Sequence, residues 1–449
     1  MSTGGRMGWR TTALAVAGTV VASTVVTGTV VAASGGASPE VPAAAPAANV
    51  VRVFPGVRMI RSAGAPGGGF TPAQIRIAYD TGPLAARGID GARQTIVVVD
   101  SFGSPTIRTD LARFDRHYGL PAPPSFEIIQ PAGRVPRYRP TPDRTNWAAE
   151  TTLDVEWAHV MAPGARIVLA ETPTAENEGT TGFPQILAAE KYVLAHRIGQ
   201  VISQSFDATE QTFPSRKALV ALRSAYVLAA RDHVTVLAAS GDEGATGYTY
   251  SMADLYTKRV VSWPATDPLV TAVGGTQLDL RANGTRRRPD VAWNGSGGGR
   301  SVFFSRPSYQ NRVRSITGSR RGVPDISMEA SCDNGVSVYA SFPGNGPDPW
   351  SAACGTSVAT PLLAGLVALA DQEARRPLGL INPALYAMLA ARDRGIVDIR
   401  SGSNTTMFGQ NGTTYTVRGF AARKGYDLVS GVGTVNAAYF VPELARLAR

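Results

Sequence analysis

Residues 95–100 read Thr-Ile-Val-Val-Val-Asp, a run of β-branched residues that ends on a carboxylate. A strand with one wet face alternates apolar and polar residues, whereas an unbroken apolar run is a strand covered on both faces. Working outward, the same pattern recurs at Arg166–Ala170, Val201–Ser205, Val234–Ser240 and Leu269–Val273. Helical patterns stand between these runs at Thr109–Tyr118, Trp147–Met161, Pro184–Ile198 and Ser215–Asp232. Asn146 is placed to cap the second of these helices and Pro163 to stop it, and Leu153, Trp157, Val160 and Met161 give it one apolar face. Ser357–Asp371 is nearly all apolar and is expected to be a core helix. Strand and helix alternating at this rhythm predict an α/β fold, a mostly parallel central sheet flanked by helices in three layers. No internal repeat is present, and 398–435, rich in Gly, Asn and Thr, reads as loops around a local organising centre.

The chain has 449 residues, 44% hydrophobic, enough for one large core or two smaller ones. Its net charge of +10 would suit an anionic surface, but the densest basic run, Arg286-Arg287-Arg288, sits between Gly284 and Pro289 and reads as a solvated loop. No nucleic-acid partner is expected. Cys332 and Cys354 are the only cysteines, which excludes a Cys-rich zinc site and leaves their pairing open. Arg6 and Arg10 precede an apolar run from Thr11 to about Ala33, with small residues following: the pattern of a signal peptide over 1–34. A retained membrane anchor is the other reading of that run, and both place the remainder outside the cytoplasm. Residues 35–68 read as an Ala/Pro/Gly-rich linker or short N-terminal segment, and organised sequence begins at 69.

Three places carry groups suited to chemistry. Ser357 follows Gly355-Thr356 just before the apolar helix, where free N–H groups and the helix dipole favour negative charge. That suits a nucleophile whose reaction builds an oxyanion, though serine there is also an ordinary cap. Glu150 and Asp154 are four apart on one helix face, so the two acids can share a proton and one can act as general base; an acidic first turn is the plainer reading. Asp242 follows a strand in Ser240-Gly241-Asp242, where parallel sheets place their sites, and protonated it could donate to an oxyanion; beside glycine it could equally be a turn residue. None of the four histidines, His117, His159, His196 and His233, stands in a His-Gly-Thr setting.

Taken in order, these segments resemble the sedolisin (serine-carboxyl peptidase) family across most of 69–440. The matching pieces are Phe70-Thr71-Pro72, the strand ending at Asp100, Glu150-Thr-Thr-Leu-Asp154-Val-Glu156, Ala162-Pro-Gly-Ala165, Val201-Ile-Ser-Gln-Ser205, Val236-Leu-Ala-Ala-Ser-Gly-Asp242, Thr271-Ala-Val-Gly-Gly-Thr276, Val323-Pro-Asp-Ile-Ser327 and Gly355-Thr-Ser357-Val-Ala-Thr-Pro361. The resemblance implies a subtilisin-like fold over 69–449 and a secreted endopeptidase acting on polypeptides. Ser357 would be the nucleophile, Glu150 its general base and acid, Asp154 the residue that orients Glu150, and Asp242 the oxyanion-hole acid. A carboxylate with its ordinary pKa near ~4 works as a base in acid, where histidine is protonated, so an acidic optimum is expected.

The resemblance also implies one structural Ca²⁺ site, with Asp398 and Asp427 as carboxylate ligands and the carbonyls of Ile399, Arg423 and Gly425 completing it. The match departs from the family in four places. Only about twenty residues separate the linker from the domain start where the resemblance leads one to expect a long prosegment, Arg423 stands where glycine is frequent, Cys354 replaces a glycine before Gly355, and Ser205-Phe206-Asp207 replaces Ser-Trp-Gly beside the cleft. A monomer is expected, with membrane contact only through an uncleaved N-terminal segment. Two other readings stand: a subtilisin-like hydrolase using Asp100 and a histidine, and a non-catalytic binding protein on a peptidase scaffold. The missing His-Gly motif counts against the first and the intact acid–serine set against the second.

Overall fold

The computed structural model describes residues 50–52, 58–60 and 68–448. The signal-peptide reading and most of the 35–68 segment lie outside the described residues. The central sheet is built from β1 (Thr95–Ser101), β2 (Phe126–Ile129), β3 (Arg166–Thr172), β4 (Val201–Gln204), β5 (Thr235–Ala239), β6 (Thr271–Gln277), β7 (Val291–Ala292) and β8 (Ile326–Glu329). Its order is β7-β6-β5-β4-β1-β3-β2, with β8 also on β6. Every pairing is parallel except β6 with β7. All seven residues of β1 are buried, as its unbroken apolar run predicts.

Among the helices, α1 (Pro72–Ala78) opens the domain with a full capping box: Gln74 N–H donates to the Thr71 hydroxyl, Thr71 N–H donates to the Gln74 side chain, and Pro72 takes the first turn. Then follow α2 (Ile107–Tyr118), α3 (Pro142–Met161), α4 (Phe183–Ala195), α5 (Arg216–Ala221), α6 (Ser224–Arg231), α7 (Thr356–Ala374) and α8 (Ala437–Leu447). Helix α3 begins five residues before the expected start, at Pro142 after an extended Thr141, so Asn146 lies inside it and caps nothing. It is also not one-faced: every residue from Trp147 to Met161 is buried. The expected 215–232 helix is two helices, broken where Leu222 N–H turns back to Leu219 O in a tightened last turn. Helices α3 and α7 press together at Gly365, where an added Cβ would lie 2.4 Å from the Met161 Cβ.

A second sheet pairs β9 (Val336–Tyr339) with β10 (Trp350–Cys354), and the strand Arg58–Ile60 adds antiparallel to the free edge of β10, with Arg58 opposite Cys354. The disulfide Cys332–Cys354 closes beside it, immediately before Gly355. Within 398–435, Asn411 and Gly412, both at positive φ, turn a hairpin of Thr406–Gln410 on Thr413–Val417. The Arg286–Arg288 run is neutralised locally, Arg286 by Asp290 and Arg287 and Arg288 by Asp279. No helix among the described residues is long and apolar enough to cross a membrane.

Candidate active site

The carboxyl ends of β1, β4 and β5 and the start of α7 meet at one place, the end of the sheet where the fold class puts its ligands. Gly355, at φ 125°, caps α7, so Thr356 and Ser357 occupy its first turn and Ser357 is not the cap. Pro361 lies inside α7. Proline has no N–H, so the carbonyl four residues earlier, that of Ser357, lacks its helical partner. The Ser205 hydroxyl, at the end of β4, lies 3.4 Å from that carbonyl and donates to Asp154 Oδ1 at 2.8 Å. Ser205 is a site residue that the sequence had marked only as part of a motif. Ser357 Oγ is buried and makes no hydrogen bond to any described residue.

Glu150 and Asp154 lie one turn apart on α3, both fully buried. Burial holds the Asp154 carboxyl well above the usual range, and the neighbouring Asp100 and Glu150 push it further, against the pull of the Ser205 hydrogen bond. Asp100, at the end of β1, is itself raised by burial to about 7. Three carboxyls thus share one buried pocket, and they cannot all ionise near neutrality. Asp242 is reached from the other side. Its Oδ1 accepts from Thr356 N–H at 2.7 Å and from the Thr356 hydroxyl at 2.8 Å.

The histidines stand elsewhere. His159 ends α3, buried, with Nε2 2.7 Å from Pro121 O, and burial lowers its pKa to about 4. His117 packs on Trp350, and His196 stacks on Tyr192. Asp100 therefore lies beside carboxyls and not beside a histidine, which removes the basis for the Asp–His alternative.

The residues expected to hold calcium do come together. Gly425 N–H donates to Asp398 Oδ1, tying the two segments together, and within the second Arg423 N–H donates to Asp427 Oδ2, each at 2.9 Å. The carbonyls of Ile399, Arg423 and Gly425 accept no backbone hydrogen bond from the described residues. Two carboxylates and three such carbonyls are a hard-oxygen donor set that fits Ca²⁺. Arg400 pairs with Asp398 Oδ2 at 2.8 Å and would compete with the ion for that oxygen.

Comparison with known proteins bears on this geometry. The model of the subtilase family matches residues 146–388. Kumamolisin of Bacillus sp. (strain MN-32) is 29% identical over 377 residues, 81% of this chain and 62% of that protein. Sedolisin of Pseudomonas sp. (strain 101) is 28% identical over 390 residues, 82% and 60% of the respective chains. Human tripeptidyl-peptidase 1 is 28% identical over 349 residues, 73% and 56%. The chain therefore spans about 60% of the length of the first two of these relatives. The solved structure of Pseudomonas sedolisin, a serine-carboxyl proteinase complexed with pseudo-iodotyrostatin, superposes with a TM-score of 0.66 at 27% identity, covering 84% of this chain and 98% of that one.

Proposed function

Because this chain belongs to the subtilase family, and within it to the sedolisin group, we propose that it is a serine-carboxyl peptidase that hydrolyses peptide bonds of polypeptides in acid. The observation that carries this reading is the placement of Ser357 at the start of α7 between two acid sets, Glu150–Asp154 held by Ser205 and Asp242 held by Thr356. Ser357 Oγ attacks the scissile carbonyl carbon as its proton passes to Glu150. The carbonyl oxygen becomes an oxyanion and accepts the proton-bearing Oδ2 of Asp242 as donor. Glu150 then gives its proton to the leaving amine nitrogen as the C–N bond breaks. Water repeats the sequence on the acyl-enzyme. Asp154 shares the Glu150 proton and fixes its orientation. The Ser357–Glu150 hydrogen bond is one that substrate completes.

The acid range follows from the carboxyls: a neutral Asp242 donates only while protonated, and the buried Asp100–Asp154–Glu150 set retains protons that an exposed set would lose. Calcium, when bound by Asp398, Asp427 and the carbonyls of Ile399, Arg423 and Gly425, would tie the two loops together as a structural ion. Export through the 1–34 segment would place this activity outside the cell.

The test is cleavage of a denatured protein across pH 3–8 by the wild type and Ser357→Ala in parallel. Acid-optimal cleavage, lost in the variant, supports the reading. Equal activity of the variant, or no cleavage by folded, calcium-loaded wild type, rejects it, and the second result returns the protein to a binding role.

A further inference from the structure

Beside the acid–serine set lies a second group of carboxyls that the reaction does not use. Asp207 follows Ser205 at the end of β4, and Glu176 and Glu178 follow β3. Glu176 faces both Asp207 and Glu178, and Asp207 faces Glu243. Glu178 is fixed in place: its Oε2 accepts from Thr209 N–H at 2.8 Å and from the Thr212 hydroxyl at 2.9 Å. Glu176 is 6% exposed, and its Oε1 has no hydrogen-bond partner among the described residues. No described lysine or arginine pairs with Glu176, Glu178 or Asp207. Nor do these carboxyls form a group of three that could hold one metal ion. A buried carboxyl among like groups stays protonated unless something positive enters, and a bound cation is what would let it ionise.

The position of the group says what that is. Asp207 Oδ2 would stand 3.3 Å from a Cβ placed on Gly241, whose φ is 108°. Gly241 immediately precedes the oxyanion acid Asp242, and Asp207 lies two residues after Ser205, which touches both Asp154 and the Ser357 carbonyl. A substrate bound with its scissile carbonyl oxygen at Asp242 would bring the side chain of that same residue near Ser205–Asp207 and Ser240–Asp242. A glycine at 207, as in the Ser-Trp-Gly pattern, would leave that wall neutral. We propose that Glu176, Glu178 and Asp207 form the specificity pocket for a basic side chain, arginine or lysine, at the substrate residue whose carbonyl is attacked. This rests on the peptidase reading above. An entering guanidinium or ammonium supplies the donors that Glu176 Oε1 lacks and favours the ionised form of the carboxyls it meets.

The test uses a peptide series differing only at that residue, with Arg, Lys, Leu, Phe or Glu. The wild type should cleave the Arg and Lys peptides at least about tenfold better than Leu, measured as kcat/KM, as expected where a site built for a polar group meets one that lacks it. Asp207→Asn and Glu176→Gln, each checked for wild-type melting, should bring the Arg/Leu ratio close to one. Glu443→Gln, on the surface beside Arg446, should leave the ratio unaltered. The same peptides are titrated calorimetrically into Ser357→Ala. Tighter binding of Arg than Leu there, lost on adding Asp207→Asn, supports the pocket even if the wild type proves to hydrolyse nothing. Equal binding and cleavage of Arg and Leu peptides, or a preference that survives both substitutions, overturns the inference while leaving the peptidase reading intact.

Discussion

Oδ1 of Asp242 accepts two hydrogen bonds from Thr356, from the amide at 2.7 Å and from the hydroxyl at 2.8 Å. The proposed oxyanion acid is thereby anchored to the residue directly before the proposed nucleophile, and its orientation is set by the first turn of α7. Asp242→Ala should lower kcat by about 10²–10³-fold with a smaller effect on KM. Asp242→Asn should retain more activity and respond differently to pH. Its amide carbonyl can still accept from Thr356 while its NH₂ donates at every pH. The limb of the kcat profile that reports loss of the Asp242 proton should vanish in this variant. Steady-state kinetics from pH 3 to 8 check both.

Ser205 donates to Asp154 and so opposes the burial that raises its pKa. Ser205→Ala should move the ionisation of the carboxyl set to higher pH and lower kcat/KM at the optimum by about tenfold, the order of one hydrogen bond to a charged group. The pH–rate profile separates this from a folding defect, which would scale the curve without shifting it.

The buried acids also set the pH dependence of stability. Asp100, Asp115 and Asp207 are raised to about 7 and Glu178 and Glu190 to about 8, burial being the first cause in each. The folded state holds these protons more tightly than the unfolded chain. Their contribution is complete below the ordinary values of 3.8 and 4.5 and is lost as pH rises through the folded ones. Denaturant midpoints should therefore fall steadily between about pH 4 and 8. A midpoint that rises over that interval would contradict the buried-acid account.

At Gly365, a methyl group would enter space held by Met161. Gly365→Ala should destabilise the fold by about 1–3 kcal/mol through overpacking, despite the better helix propensity of alanine. Urea unfolding measures it. Because Met161 ends the helix that carries Glu150 and Asp154, activity should fall along with stability.

Calcium added to chelated protein should raise the unfolding free energy by about 2–3 kcal/mol near a hundredfold excess over Kd. The gain should be absent in Asp398→Ala and Asp427→Asn, and Arg400→Ala should bind the ion more tightly by freeing Asp398 Oδ2. Calorimetry with calcium against magnesium reads all three.

The strands of the sheet's middle, the apolar helix α7 and the position of each catalytic candidate are legible from local pattern, because β-branched runs, glycine turns and small-residue motifs act over a few residues; the strand order is not. The hairpin at 406–417 carries its signal in Asn411-Gly412, which the Gly-, Asn- and Thr-rich composition around it masks as loop. Helix α3 was read with one apolar face, since Glu150, Asp154, Glu156 and His159 are polar by type. Whether such residues meet water is decided by what covers them, here α7 and the sheet.

The sequence by itself determined the α/β plan and the residues that carry the proposed chemistry, since propensity and motif are written in neighbours. Only the tertiary structure decided that Ser205 reaches Asp154 across 51 positions, that Asp242 is tied to Thr356 across 114, that Cys332 closes on Cys354, and that Asp207 joins Glu176 and Glu178 in one unpaired group. Burial and Coulomb energy depend on distance in space and on the surrounding dielectric, and neither is fixed until distant segments pack.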